Sequence, residues 1–178
     1  VKPRVGYKKI RLNSRNRTVT LLAANMQLDL GGIAKGFAVD EAMKTLKANC
    51  IHRAFVAASG DMLTSGPPIG HEGWRVLIRN VDQFGNVYPR TVHLKHQALS
   101  TSGDTEQFVP INGQRYSHIV DPRTGYGLTH RIQVTVVSKA SSKSDSYATT
   151  ISVLGHKAGL AFAKRKEFQT LILDLKSE

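Results

Sequence analysis

The 178 residues carry 25 Lys+Arg against 13 Asp+Glu, a formal charge of +12, with 40% hydrophobic and 21% charged content. That composition excludes a wholly disordered chain, and the length is that of about one domain with a core large enough to need no disulfide or metal staple. No run of residues is long and apolar enough for a helical membrane span, no charged-then-apolar leader pattern is present, and the single Cys50 cannot form an internal disulfide. A start at Val1 rather than Met is expected of a trimmed or processed chain.

In chain order, Val5 to Leu12 alternates as a strand, Asn13-Ser14-Arg15-Asn16 is a turn cluster, and Thr18 to Leu22 returns, so a hairpin is expected. Gln27 to Leu30 reads as another short strand ending at Gly31-Gly32. Ile33, Phe37, Ala38, Ala42, Met43 and Leu46 then recur at helical spacing, with Asn49 as the stop. Arg53 to Ala58 reads as a strand running into Ser59-Gly60-Asp61. Trp74 to Arg79 and Val87 to Leu94 read as strands on either side of a turn at Asp82 to Asn86. From Thr101 to Thr129 there are six Gly or Pro residues and little periodicity. This predicts a long loop, which inside a compact domain is usually functional. Ile132 to Val137 is a strong strand, Ser144 to Leu154 a helix ended by Gly155, Lys157 to Lys164 a second short helix, and Thr170 to Leu173 a closing strand. The order predicts an α+β fold without regular βαβ alternation, in one domain spanning 1–178.

The positive surplus attracts nucleic acid, anionic membrane or a phosphorylated small molecule. A nucleic-acid module clusters its Lys and Arg and interleaves aromatic residues; here the basic residues are scattered and aromatics are only 7%. The one dense run, Lys164-Arg165-Lys166, follows an apolar stretch as expected at a helix C-terminus. No nucleic-acid partner is expected. Duplex DNA should bind weakly, without sequence preference, and lose affinity steeply with salt. Tight, sequence-selective binding at physiological salt in a gel-shift titration would reverse this reading.

Three segments can carry chemistry. In Asp29-Leu30-Gly31-Gly32-Ile33-Ala34-Lys35-Gly36-Phe37-Ala38-Val39-Asp40, two glycines between strand and helix permit close backbone approach, and the helix N-terminus with Lys35 suits a phosphate. A plain strand-to-helix turn with an exposed lysine serves the same residues. In Ser144 to Thr150, Asp145 and Thr149 are four apart and share a helix face. A carboxylate and a hydroxyl, with carbonyls nearby, suit a hard cation such as Mg²⁺ rather than zinc. Alternatively Ser144 or Asp145 caps the helix and Thr149 bonds back to a carbonyl. In Arg115 to Gly125, His118 can take a proton from a hydroxyl, while Asp121-Pro122-Arg123-Thr124-Gly125 also reads as a turn beside a structural histidine. No Gly-x-Ser-x-Gly motif surrounds a serine and Cys50 has no evident partner, so a covalent hydrolase is not expected.

Taken in order, DLGGIAKGFAVD (29–40), AASGD (57–61), STSG (100–103), YSHIVDPRTG (116–125), VTVVS (134–138), DSYAT (145–149) and the following Val153-Leu154-Gly155 resemble the ApbE family, the FAD:protein FMN transferases. The resemblance covers nearly the whole chain. It implies a mixed, largely antiparallel sheet with packed helices, and binding of FAD and Mg²⁺. It also implies cleavage of the pyrophosphate, attachment of FMN to a Thr or Ser hydroxyl of an acceptor flavoprotein, and release of AMP. On the matching positions it implies Asp145 and Thr149 as metal ligands, completed by the carbonyls of Ala34 and Ala148. His118 matches the residue that deprotonates the acceptor hydroxyl. Lys35, Asp61, Thr101, Ser102, Gly103, His118 and Asp121 fall in motifs that line the FAD pocket.

The resemblance further implies a periplasmic or membrane-associated location through a segment outside these residues. Family members carry a substantial portion before the hairpin that adds core packing and flavin contacts. One departure is Ser59-Gly60, where the family pattern has Gly-Gly before the aspartate. Two outcomes are expected to compete: Mg²⁺-dependent flavin transfer, and a non-catalytic flavin- or nucleotide-binding module of the same descent.

Overall fold

The computed structural model describes residues 2–82, 84, 86–103 and 107–175. Two short 3₁₀ turns, Lys2–Arg4 and Tyr7–Lys9, precede a hairpin of β1 (Ile10–Asn13) and β2 (Thr18–Leu21). Then follow α1 (Ala34–Ala48), β3 (Phe55–Ala58), β4 (Asp61–Thr64), β5 (Trp74–Val81), β6 (Val87–Leu94) and β7 (Ala98–Gly103). The chain continues through β8 (Phe108–Ile111), β9 (Gln114–Ser117), β10 (Arg131–Ser138), α2 (Ser141–Lys166) and β11 (Gln169–Leu175).

Five strands form one sheet in the order β11-β10-β7-β4-β3, with every neighbouring pair antiparallel. Successive residues of a strand point to opposite faces, and the apolar residues divide accordingly. Ile132, Val134 and Val136 of β10 pack with Ala148, Ile151 and Ala163 of α2. Leu63 and Ala98 pack with Val39 and Met43 of α1. Their strand neighbours Met62, Leu99 and Val137 face the other way and meet Val76, Ile78 and Leu94 of the β5–β6 hairpin. The fold is therefore α+β in three layers: two helices, the sheet, and a hairpin. Gln133 closes the far end of the hairpin onto the sheet. Its amide donates to the Arg79 carbonyl at 2.7 Å and accepts the Val81 N–H at 3.2 Å.

Several expected elements are corrected. Gln27 to Leu30 forms no strand, and the first strand begins only at Ile10, after a 3₁₀ turn. The segment from Thr101 to Thr129 is not mostly loop: it holds the end of β7 and the β8–β9 hairpin. That hairpin turns at Asn112-Gly113, both with positive φ (50° and 77°), the geometry of a type I′ turn. β4 is a strand beyond those expected. Gly155 breaks α2 where a helix end was expected, but the first half starts at Ser141. Lys164, Arg165 and Lys166 do occupy the last turn of α2.

Candidate functional site

Neither helix carries a side-chain cap of its own. Ile33 and Ala140 stand at the two N-cap positions, and no acidic residue lies in either first turn. Each helix instead caps the other. The Gly36 N–H, one of the unpartnered donors in the first turn of α1, donates to Asp145 Oδ2 of α2 at 3.0 Å. One turn along α1, Asp40 accepts the backbone N–H groups of Ser141 and Ser142 at 2.7 and 3.0 Å, and the Ser142 hydroxyl at 2.6 Å. The cap of α2 is thus Asp40 rather than Ser144 or Asp145. Thr149 does not bond back to its own helix; its hydroxyl pairs with that of Ser102 on β7 at 3.2 Å.

This junction requires glycine at position 36. A Cβ there would lie 2.4 Å from the Ser141 carbonyl oxygen. Gly36→Ala should therefore push the helices apart and cost about 1–3 kcal/mol. Asp40→Ala should cost about 1–2 kcal/mol through the lost caps. Urea denaturation of both variants checks this, and parental midpoints would contradict it.

In front of the junction, Asp29 Oδ1 accepts the Gly31 N–H at 2.8 Å, and the Leu30 carbonyl accepts the N–H groups of Ile33 and Ala34, so the Gly-Gly segment turns tightly into α1. Lys35 reaches from the first turn of α1 to Asp61 Oδ2 at 2.6 Å. Burial lowers the Lys35 pKa, but the hydrogen bond and charge of Asp61, with Asp145 behind, outweigh it and leave the ammonium above the ordinary lysine value. Asp145, 2% exposed, is shifted upward. Burial is the main cause; the Asp61 charge adds to it, while the Gly36 N–H and Lys35 oppose it.

These groups border an open cleft of about 1130 Å³ between the sheet, the β5–β6 hairpin and the segment after β9. Of the residues expected at the site, Lys35, Thr101, Ser102, Gly103, His118 and Thr149 line it. Asp61 and Asp145 do not line it and touch it through Lys35 and the Gly36 junction. Asp121 follows the lining residue Val120 without lining the cleft itself, and is held in a fork with Arg123. His118 is held by one carbonyl: its backbone N–H and its Nδ1–H both donate to Gln107 O at 3.1 Å. Because a carbonyl oxygen only accepts, this fixes the proton on Nδ1 of the neutral ring, and among the described residues Nε2 has no hydrogen-bond partner.

Asp29 and Ser59, which belong to the motifs already singled out, also line the cleft, as do Val76, Ile78, Gln107, Arg131 and Gln133, which were not expected there. Arg131 Nε is buried with no hydrogen-bond partner among the described residues. Ser59, where the family pattern has glycine, sits at φ 54°, left-handed backbone that glycine adopts without strain.

Among the described residues no group of three His, Cys, Asp or Glu side chains is placed to hold a metal. The oxygen donors at the junction nevertheless fit a hard cation. Asp145 commits Oδ2 to Gly36, and among the described residues Oδ1 accepts no hydrogen bond. The Thr149 hydroxyl lies on the cleft side of the same helix, against Gly32. The Ala148 carbonyl already accepts the Ser152 hydroxyl at 3.0 Å.

A helix–sheet–hairpin α+β protein with a cation-suited oxygen pair beside a large cleft of mixed polar and apolar lining is thereby defined. The sequence model of the ApbE family matches residues 1–172, and the chain belongs to that family. It is 29% identical over 173 residues to the FAD:protein FMN transferase of Haemophilus influenzae, covering 95% of this chain and 50% of that protein. Against the Treponema pallidum FAD:protein FMN transferase it is 34% identical over 156 residues, covering 83% and 43%. The apo flavinyl transferase ApbE of Pseudomonas stutzeri superposes with a TM-score of 0.85 at 29% identity, over 99% of this chain and 54% of that one. The Vibrio cholerae flavin transferase ApbE gives 0.86 at 28% identity, over 96% and 54%. The chain thus spans about half the length of the curated relatives it matches.

Proposed function

We propose that the cleft binds FAD together with Mg²⁺, and that the chain forms one flavin transferase domain, part of a FAD:protein FMN transferase. It would move FMN from FAD to a Thr or Ser hydroxyl of an acceptor flavoprotein and release AMP. A periplasmic or membrane-associated location goes with this reading. The observation that carries it is the convergence of Lys35, Thr101, Ser102, Gly103, His118 and Thr149 on one cleft, with Asp145 at the helix junction beside it.

Asp145, Thr149 and the Ala34 carbonyl hold the cation in this reading. Ala148 is set aside because its carbonyl is occupied by Ser152. When bound, Mg²⁺ neutralises the pyrophosphate and stabilises the departing phosphate. Lys35, kept charged and oriented by Asp61, supplies a second cation to the diphosphate. His118 takes the acceptor hydroxyl's proton on Nε2. The freed oxygen attacks the phosphorus on the flavin side of the pyrophosphate, the bond to the AMP phosphate breaks, and AMP leaves.

Flavin fluorescence titration with and without Mg²⁺ tests the binding half of this reading. FAD should bind, and more tightly with Mg²⁺ present. A chain that binds no FAD overturns the proposal. One that binds FAD but never yields AMP with an acceptor is the non-catalytic binding module.

A further inference from the structure

Gly155 interrupts α2 with φ 75° and ψ 176°, backbone that residues with a side chain rarely adopt. A break of this kind strips the carbonyls one turn before it of their helical N–H partners. Two side chains from the segment between β9 and β10 take their place. His130 Nε2–H donates to Ser152 O at 3.0 Å, and Arg123 Nη2–H donates to Val153 O at 3.2 Å.

Arg123 is itself clamped. Its Nε donates to Asp121 Oδ1 at 2.9 Å and its Nη2 to Asp121 Oδ2 at 2.8 Å. The Arg123 hydrogen bonds hold the Asp121 carboxyl below the ordinary range, so the pair stays ionised at neutral pH. The turn around them is tight: Gly125 N–H donates to Asp121 O at 2.7 Å, and Asp121 N–H to Tyr126 O at 2.9 Å. His118 lies three residues before Asp121 on this segment. On the other side of the contact, Thr149 and Asp145 lie about one and two turns before Val153 on α2. The motifs Asp121 to Gly125 and Val153-Leu154-Gly155 therefore meet at one contact.

We propose that Arg123 is a positioning residue: forked on Asp121 and bound to the carbonyl that Gly155 frees, it sets the separation between the His118 segment and the Asp145–Thr149 face of α2. This rests on the flavin-transfer reading of the cleft. Misplacing a reacting group by an ångström can cost roughly a hundredfold in rate, so a tether of this kind matters without touching ligand. Arg123 is exposed, with 68% of its side chain accessible, so its removal opens no core.

The test compares the parent chain with Arg123→Gln and Arg123→Lys by amide hydrogen exchange, urea denaturation, FAD titration and FMN transfer. In Arg123→Gln, exchange at Gly125 and Leu128 should accelerate severalfold, while the urea midpoint and FAD affinity stay at parental values. Transfer should slow roughly ten- to a hundredfold. Arg123→Lys keeps a cation for Val153 O but loses the planar fork, and should recover part of the rate. Unchanged exchange at Gly125 and Leu128 overturns the tether whatever the activity. Parental transfer despite faster exchange overturns it as well, as does an equal loss of FAD affinity and rate, which would make Arg123 a ligand contact. If the parent itself transfers no FMN, the functional reading has failed, and the exchange measurement alone decides the tether.

Discussion

Replacing His118 by Ala should slow FMN transfer to a threonine-bearing acceptor roughly 10²–10⁴-fold, the usual contribution of positioned proton transfer, while FAD affinity stays unchanged. The expectation follows from the two bonds to Gln107 O. They spend the backbone N–H and Nδ1–H of His118 on the protein and leave Nε2 for an incoming hydroxyl. His118→Gln sharpens the test, because an amide can donate to the same carbonyl but cannot accept a proton at neutral pH. Both variants should be slow to a similar degree. Acceptor mass spectrometry alongside FAD titration measures the effect. A variant that transfers at the parental rate, or that loses binding and transfer equally, makes His118 a pocket residue and not the base.

Asp145→Asn should abolish Mg²⁺-dependent turnover without unfolding the chain. With no cation bound, the carboxyl of Asp145 holds its proton more tightly in the folded chain than in the unfolded one, chiefly because of burial. Its contribution to stability is therefore fully present below the ordinary carboxylate value and is lost as pH rises through the raised folded value. Asn removes that cost and still accepts the Gly36 N–H, so the metal-free variant should be at least as stable as the parent at neutral pH. In the parent, Mg²⁺ at about 100 times its Kd should add about 2.7 kcal/mol, about 5–10 °C in Tm. In Asp145→Asn that shift should vanish. Because the cation competes with the proton, parental Mg²⁺ affinity should also weaken on acidification, beginning at a higher pH than an ordinary carboxylate would show. Thermal scans with and without Mg²⁺ at two pH values check both statements, and an undiminished Mg²⁺ shift in the variant contradicts the assignment.

The helices, the strong strands and the α+β class were readable from periodicity. The hydrophobic alternation of β10 and the spacing of Val39, Met43 and Leu46 are local signals, and local signals survive folding unchanged. Asn112-Gly113 is also a local signal, a hairpin turn sequence lost among the Gly and Pro residues around it. The reciprocal caps were not readable. Asp40 and Ser141 are 101 residues apart, so nothing near either position announces the pairing. What the sequence does carry is the deficit that demands it: two helices beginning at Ile33 and Ala140 without a local Ser, Thr, Asn or Asp at the cap. The same holds for Asp121. The resemblance sets its motif at the pocket, but nothing local announces that its Arg123 partner also reaches the broken end of a helix that only Gly155 hints at. Nothing local marks Gln133 and Arg131 as cleft residues: they are polar positions in an otherwise apolar strand, and only the fold shows that their face builds the cleft floor.

Whether this cleft transfers FMN is decided by intact-mass analysis of an acceptor flavoprotein domain after incubation with the chain, FAD and Mg²⁺. The acceptor should become heavier by one FMN phosphoester, with one AMP released for each adduct, and no adduct should form when the acceptor hydroxyl is replaced by Ala or when Mg²⁺ is chelated. FAD bound in the cleft with the acceptor mass unchanged and no AMP formed would contradict FMN transfer.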